Sequence, residues 1–327
     1  MKRFYVAFLR TDDEISDFFM VRSSGIKIGS NKKQYLDIFL ADKSGEISAK
    51  KWDVSEAELA IFNDLREGDC VKVKALVTEW NGAKQLKLTR LRKAEPQDAL
   101  ERADFVKSAP ENAQDMYDYV SRAANSIVDE DLKKLSLALL ERNKSKLMYY
   151  PAAAKNHHAE LGGLLYHMKR MLMMTKRYCA VYPILNLDFL IAGVLAHDIE
   201  KLTEMIANED GIVSEYSFEG KLLGHLVSGV KVIDQMAREL GVPYEKAVML
   251  EHMVLSHHYE PEFGSPKRPM FPEAELLHYL DIVDARLYDM ETALQAVSPG
   301  TFSDKVRTLD FRMLYKPSCG SGSKDEL

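Results

Sequence analysis

Hydrophobic and polar positions follow two different periods along the chain. Up to about residue 95, apolar residues alternate with polar ones in short runs rich in β-branched and aromatic side chains, the period of half-buried strands. Beyond residue 110 the apolar residues recur at spacings of three and four, the period of amphipathic helices. We therefore predict an α+β multidomain protein. The predicted domains are a small β-barrel at 1–95, a linker with two prolines at 96–110, an all-α domain at 111–316 and a flexible tail at 317–327.

Turn signals divide the first part of the chain into strand-like segments. They lie at residues 23–25, 42–45 and 81–82. Asn-Gly at the last of these favours a tight hairpin, because both residues tolerate positive φ. About five short strands in this span favour an OB-fold. An SH3-like or other small barrel has the same periodicity and stays open.

The charge balance differs between the two parts. Residues 1–95 hold 18 Lys and Arg against 15 Asp and Glu, a balance of +3, whereas the whole chain carries −6. A polyanion would be repelled by the acidic remainder, so nucleic acid is expected to bind the barrel. Lysines and aromatic residues interleave there, and a base stacked on an aromatic ring contributes ~1–3 kcal/mol. The predicted nucleic-acid contacts on the barrel are Tyr35, Lys50, Lys51, Trp52 and Lys84.

Two of the aromatic residues have competing interpretations. Phe39 is expected to lie in the barrel core. Trp52 is flanked by lysines and favours a base contact, although a core position is the alternative.

Histidine and aspartate recur on the apolar faces of several predicted helices. Of the 9 histidines, 7 lie between residues 167 and 278. An unpaired charge on an inward helix face costs several kcal/mol, which metal coordination would offset. For each histidine alone, a hydrogen-bonded core position is the alternative. The predicted metal ligands are His167, His197, Asp198, His225, His257, His258 and Asp281.

The ligand types and the His197-Asp198 pair indicate the chemistry. Imidazole and carboxylate suit Mn²⁺, Fe²⁺ or Zn²⁺, with Co²⁺ and Mg²⁺ as further candidates. A carboxylate beside a histidine can bridge two metals, and two ions ~3.5–4 Å apart can clamp both reacting oxygens of a phosphodiester. The cluster therefore predicts hydrolysis of phosphodiester bonds.

Other polar residues near these segments have supporting or unresolved roles. His157 and His158 precede a Gly-Gly pair and are predicted as phosphate contacts or supports, with a polar helix start as the alternative. Asp284, one turn after Asp281, is predicted to support a ligand by hydrogen bonding. His252 and His278 fit no slot in the pattern and are interpreted as ordinary helix residues.

The order H…HD…H…HH…D resembles the HD-domain metallophosphohydrolases, an all-helical superfamily, and the extra histidines resemble its two-metal branch. This resemblance implies two ligand groups with Asp198 bridging them. The first comprises His167, His197, Asp198 and Asp281, and the second His225, His257 and His258. Lys201 matches the family lysine that reaches the substrate phosphate. Glu200 stands where the family usually has glycine.

An OB-like barrel followed by this pattern resembles the YhaM-type 3′-to-5′ exoribonucleases of bacteria over nearly the whole chain. The resemblance rests on LADKSGEISAKKWD, KNHHAELGGLLYH and SHHYEPEFGSPKRP as well as the metal motif. It implies degradation of single-stranded RNA, in some members also of DNA, with Mn²⁺ preferred. The alternatives are an HD phosphodiesterase or nucleotidase acting on small nucleotides, and a non-enzymatic RNA-binding protein.

The remaining features concern location and assembly. No run approaches the ~20 apolar residues of a membrane span, and no signal peptide is recognisable. The three cysteines form no CxxC pair, so a disulfide framework is not indicated. We therefore predict a cytoplasmic protein without membrane contact, for which a homo-oligomer stays open. The terminal KDEL is treated as coincidence, because the retention address acts only on proteins that enter the secretory pathway.

Overall fold

The computed structural model describes residues 2–29, 33–52, 54–80, 82–101, 104–154, 158–295 and 297–319. The chain divides into two compact units, Met1–Ser108 and Ala109–Leu327, each with its own hydrophobic core. Within these described ranges, no helix has the length and apolar character needed to cross a membrane. The C-terminal residues 320–327, most of the predicted flexible tail, lie outside the described residues.

The first unit is a closed five-stranded barrel. Its strands are β1 (Glu14–Ile28), β2 (Gln34–Asp42), β3 (Gly45–Lys51), β4 (Cys70–Trp80) and β5 (Ala83–Lys93). They close in the order β1-β2-β3-β5-β4, with β3 and β5 parallel and the other pairs antiparallel. Helix α1 (Glu56–Asn63) follows β3 and begins at a capping box formed by Ser55 and Glu58. This topology is that of an OB-fold and not of an SH3-like barrel.

Two of the three predicted turns are present. β2 turns into β3 between Asp42 and Gly45, and β4 turns into β5 through Gly82, which has a φ of 77°. Asn81 lies outside the described residues. The turn predicted at residues 23–25 is wrong, because β1 continues through it. A β-bulge between Val21 and Ser23 shifts the register there, and such a bulge bends a strand without ending it.

Strand alternation decides which barrel residues are inside. On β2, Leu36, Ile38 and Leu40 are fully buried, whereas Phe39 is 45% exposed. The predicted core position of Phe39 is therefore wrong. Since successive side chains of a strand point to opposite faces, Phe39 must face outward once its neighbours on either side face the core.

The second unit is built of helices around one core. They are α2 (Ala113–Asn125), α3 (Glu130–Leu147), α4 (Gly163–Val181), α5 (Leu187–Ala196), α6 (Lys201–Glu204), α7 (Phe218–Leu240), α8 (Tyr244–Ser256) and α9 (Pro272–Gln295). A small antiparallel pair, β6 (Met205–Ala207) and β7 (Val213–Tyr216), joins α6 to α7. Helix α5 contacts α3, α4, α8 and α9, and Phe189 to Ala196 are all buried, so its C-terminal end lies deep in the unit.

Candidate metal centre and nucleic-acid surface

Five helices bring the predicted metal ligands into one buried cluster. His167 lies on α4, His225 on α7 and Asp281 on α9, while His197 and His257 cap the C-terminal ends of α5 and α8. Asp198 and His258 follow those two capping residues. All seven are buried except His258, which is partly buried. We call these seven residues the histidine–aspartate cluster.

The imidazole rings of the cluster are all held by Nδ1. The Nδ1 atoms of His197 and His257 lie 2.9 and 2.7 Å from the carbonyl oxygens of Val194 and Val254, one turn earlier in each helix. His258 Nδ1 is 2.7 Å from the carbonyl of Phe263. Because each of these carbonyls can only accept, Nδ1 carries the proton and Nε2 keeps a free lone pair. The folded chain therefore presents Nε2 atoms as ready metal ligands.

His167 and His225 are held in the same way, but by carboxylates. His167 Nδ1 lies 2.7 Å from Asp284 Oδ2, and His225 Nδ1 lies 3.0 Å from Glu204 Oε2. A carboxylate behind a histidine fixes the ring and raises the basicity of the nitrogen that faces the metal. These two pairs complete a common orientation for all five rings.

Four buried atoms of the cluster have no hydrogen-bond partner among the described residues. They are Asp198 Oδ1 and the Nε2 atoms of His197, His225 and His257. The three nitrogens lie 3.4 to 3.7 Å from a carboxylate oxygen of Asp198. Leaving a buried polar atom unsatisfied costs about 1–3 kcal/mol, so four together are expensive unless a cation lies among them. The cluster therefore fits a bound divalent metal.

The two oxygens of Asp198 face two different groups. Oδ1 lies near His225 and His257, and Oδ2 lies 3.4 Å from His197 Nε2 and 2.6 Å from Lys201 Nζ. On atom spacing alone, His167, His197 and Asp198 could hold one ion, and His225, His257 and His258 another. Asp281 Oδ1 lies 3.3 Å from His167 Nε2. This is the arrangement in which one carboxylate can bridge two ions.

The charges inside the cluster follow from burial and close partners. Burial opposes ionisation of Asp198, but Lys201 and His197 outweigh it and hold the pKa of that carboxyl well below its usual range. Burial together with the neighbouring imidazoles lowers the pKa of His257 and of His258. For His167, burial is outweighed by hydrogen bonds to Asp281 and Asp284, which raise its pKa to about 10. Ionised carboxylates and neutral imidazoles are the forms that bind metal, so a metal bound at His167 would displace the proton that the raised pKa retains.

The backbone turn that presents His225 was not predicted. Helix α7 is kinked at Gly224, whose φ of 69° and ψ of 167° lie outside the helical region. Beyond the kink, Glu204 Oε1 accepts a hydrogen bond from the His225 backbone N–H at 3.2 Å. Glu204 thus anchors both the backbone and the ring of His225. A glycine directly before the histidine was the only sequence signal.

A second buried network lies behind His167. Asp284 Oδ2 contacts His158 Nε2 at 2.8 Å as well as His167, and Asp284 Oδ1 contacts Arg170 Nε at 2.6 Å. The supporting role predicted for Asp284 is confirmed. His158 is fully buried and its other ring nitrogen faces Glu160 at 3.6 Å, so it supports His167 and does not face solvent. His157 lies outside the described residues.

Spacing alone would also let His158, His167 and Asp284 hold a metal. We do not assign one there, because the same atoms already join these residues by hydrogen bonds. The two remaining histidines contact backbone groups: His252 Nε2 accepts from the Met270 N–H, and His278 Nδ1 donates to the His257 carbonyl. Both lie outside the cluster.

The barrel residues predicted to contact nucleic acid fall into two groups. Trp52 is 42% exposed and stacks on Tyr35, with ring centroids 4.3 Å apart and planes inclined by 25°. The Lys50 ammonium lies 5.9 Å from the Tyr35 centroid. Lys51, by contrast, is buried and paired with Glu58 at 3.1 Å. The structure therefore places the aromatic pair and Lys50 on the surface, whereas Lys51 is buried against Glu58.

Lys84 is also engaged within the protein, since its ammonium donates to the Leu9 carbonyl at 2.7 Å. This hydrogen bond links the beginning of β5 to the N-terminal segment. A phosphate contact by Lys84 would have to compete with this bond.

Comparison with known proteins matches both units. Residues 20–94 match the family model of the OB-fold nucleic acid binding domain, and residues 164–286 match the HD domain. A protein of Halalkalibacterium halodurans, named 3′-5′ exoribonuclease YhaM, is 36% identical over 96% of each chain. The chain belongs to the YhaM family. Proteins of the same name from a Geobacillus species and Bacillus subtilis are 38% and 35% identical, over 93% and 94% of this chain and 92% and 96% of their own lengths.

Membership of the YhaM family accounts for the two units found in the structure. The barrel is an OB-fold, a domain that binds single-stranded nucleic acid, and the helical unit is an HD domain, which binds divalent metal. The predicted fold class and family are thereby confirmed.

Proposed function

We propose that this YhaM family member is a metal-dependent 3′-to-5′ exoribonuclease that hydrolyses single-stranded RNA. The observation that carries the proposal is the set of buried Nε2 and carboxylate atoms that converge on Asp198 without hydrogen-bond partners among the described residues. The relatives align with more than 90% of this chain and are named 3′-5′ exoribonucleases. The 3′-to-5′ direction of cleavage is taken from them. A cytoplasmic location goes with this proposal, because RNA is turned over there.

Seven residues would hold two divalent ions. One ion would be held by His167, His197, Asp198 and Asp281, and the other by His225, His257 and His258, with Asp198 shared. Bound ions would supply activation of water and neutralisation of charge on the phosphodiester. We propose Mn²⁺ as the preferred metal because the resemblance to the YhaM-type enzymes implies it, and nitrogen and oxygen donors without thiolate are compatible with that choice.

Lys201 would act on the substrate and not on the metals. Its ammonium lies against Asp198 with a side chain 13% exposed, at the border between the cluster and solvent. A cation there can bind a non-bridging phosphate oxygen and stabilise the charge that develops on it. The adjacent Glu200 is buried, and burial raises the pKa of its carboxyl.

The barrel would hold the strand that is being shortened. Stacked Tyr35 and Trp52 offer a flat apolar surface to a base, and Lys50 beside them offers charge to a phosphate. Because base stacking does not distinguish ribose from deoxyribose, single-stranded DNA is proposed as a second substrate. All of these roles are assigned to residues of one chain, so they would be the same in a monomer and in a homo-oligomer.

A digest of labelled RNA tests the proposed function. The purified chain is stripped with EDTA, loaded with Mn²⁺ and given a 5′-labelled 20-nucleotide RNA. We expect a ladder that shortens progressively from the 3′ end, no products without metal, and two metal ions per chain by elemental analysis. A nucleotidase would leave the oligomer intact, and an RNA-binding protein would shift it without cleavage, so either result would refute the proposal.

The aromatic pair gives a separate prediction. Trp52→Ala is expected to weaken binding of single-stranded RNA by the ~1–3 kcal/mol of one stacking contact, about 5-fold to 150-fold in the dissociation constant. The matched control is Trp80→Ala, which removes a tryptophan that is 66% exposed at the end of β4. Binding and melting temperature are measured on both variants. Normal binding by a destabilised Trp52→Ala would mean that Trp52 only supports Tyr35.

A further inference from the structure

Positive side chains form a block on the barrel, away from the aromatic pair. In β4 and β5, Lys72 lies directly opposite Arg92, and Lys74 directly opposite Arg90. On the other side of β4, the partners in β1 are Phe18 and Ser16. Since alternate side chains of a strand share a face, these residues point outward together. We define the basic face as Ser16, Phe18, Lys72, Lys74, Arg90 and Arg92.

Most of the charge on the basic face is not neutralised. Arg92 is held by both oxygens of Asp98 at 2.7 Å. Lys72, Lys74 and Arg90 make no ion pair within the part of the chain that the structure describes. The face borders a groove of about 520 Å³ whose one acidic residue, Glu58, is already bound by Lys51 and by the Ser55 cap. Lys74 and Arg90 thus face the groove without a nearby protein counter-charge among the described residues, whereas Lys72 lies close enough to Asp98 to help lower the pKa of that carboxyl.

This arrangement is unfavourable for the free protein. Like charges directly opposite each other on neighbouring strands repel and lower the stability of the sheet. The penalty disappears when an anion lies between them. A single small anion cannot contact both cross-strand pairs equally. A nucleic-acid backbone, with its series of phosphates, can contact each cation in turn.

The aromatic ring in the block favours nucleic acid over other polyanions. Phe18 is partly exposed, with Lys72 Nζ 5.0 Å and the Arg92 guanidinium 5.6 Å from its ring centroid. A ring bordered by cations combines a stacking surface with phosphate contacts, as in single-strand binding proteins. β4 pairs with β1 and β5 and with neither β2 nor β3, so these cations lie on other strands than Tyr35, which is in β2, and Trp52, which follows β3.

We propose that the basic face is a second nucleic-acid site, which binds the phosphate backbone of single-stranded RNA independently of sequence. Lys74 and Arg90, the two exposed cations, contribute most of the binding, while Lys72 borders the Phe18 ring. The inference takes its ligand from the proposed function, but RNA binding here does not require cleavage. Long substrates would contact the barrel at two places, the aromatic pair and the basic face. A dinucleotide is too short to fill either of them.

The test compares two full-length variants with equal loss of charge. Lys74→Gln/Arg90→Gln removes two cations from the basic face, and the control Lys176→Gln/Lys305→Gln removes two exposed cations from the helical unit. Fluorescence anisotropy measures binding of a labelled 20-nucleotide RNA in EDTA, between 50 and 300 mM KCl. We expect the first variant to bind about 10-fold more weakly at low salt. Its slope of log K against log salt should fall by about 1.4, since each single-strand phosphate contact contributes ~0.7.

A stability measurement separates this result from misfolding. Because the cations repel one another, Lys74→Gln/Arg90→Gln should melt at the same temperature as the parent chain or higher, although it binds RNA less well. Affinity and salt slope equal to those of the control variant would overturn the proposal. So would competition by poly-glutamate as strong as that by RNA, which would make the face a contact for an acidic protein.

Turnover of a dinucleotide keeps the two proposals apart. With the proposed function intact, both variants should cleave it at the parent rate. If no chain cleaves any RNA, the exonuclease proposal fails, and the binding comparison in EDTA still decides whether the basic face binds RNA.

Discussion

Replacing Asp198 with alanine is expected to abolish RNA hydrolysis and to lower the amount of bound divalent metal. Asp198 presents one oxygen to His197 and Lys201 and the other to His225 and His257, so its loss removes negative charge from both ligand groups. It also leaves the partly buried Lys201 ammonium without its partner, which lowers stability. We expect turnover to fall by about 10³-fold, the upper end of the loss caused by removing one charge-stabilising contact from an active site.

Metal content and turnover are measured on the same preparation of Asp198→Ala. Asp234→Ala, which removes an exposed carboxylate from α7, is the control and should keep both. His197→Ala and Asp281→Ala should change both quantities in the same direction as Asp198→Ala. Near-normal turnover with an unchanged metal content in Asp198→Ala would show that the two-metal arrangement is wrong.

Asp284→Asn is expected to have the second-largest effect, although Asp284 is not assigned as a ligand. Its Oδ2 accepts from His167 and from His158, and its Oδ1 contacts Arg170. The side-chain amide of asparagine would place an N–H donor opposite one of the three groups that now donate to Asp284. His167 would then be free to rotate. Loss of such support lowers metal affinity or activity by about 10-fold to 100-fold.

Asp289→Asn on the same helix is the matched control, since it makes the same chemical change away from His167. Metal affinity by titration and melting temperature are both measured. If Asp284→Asn lowers only the melting temperature and binds metal normally, Asp284 supports the fold of α4 and α9 and not the orientation of the His167 ring.

The seven candidate ligands could be found from the sequence because they lie on the apolar faces of helices or directly at the C-terminal ends of helices. A polar residue in such a position has few explanations, and helical spacing shows where it points. Among the supporting residues, Asp284 is predicted from its place one turn after Asp281, whereas Glu204 gives no such signal. Glu204 reaches His225 across 21 residues and His158 reaches Asp284 across 126, so both contacts arise only when the helices pack. The sequence could not indicate either pair.

The barrel shows where local patterns fail. Small residues at 23–25 have the composition of a turn, but their pairing with β2 keeps them in a strand. Lys50 and Lys51 look alike in sequence, yet alternation along β3 points one outward and the other toward Glu58. The cations of the basic face are far apart along the chain, and only the register of β4 and β5 brings them together.

The kink at Gly224 has a consequence for which sequences can encode this protein. With a φ of 69° and a ψ of 167°, this residue occupies a backbone region that is essentially restricted to glycine. It carries no functional group, yet the direction in which the chain continues into His225 depends on it. In a saturation library selected for function, position 224 should therefore be as intolerant of replacement as the ligands themselves, and a search guided by chemical groups alone would overlook it.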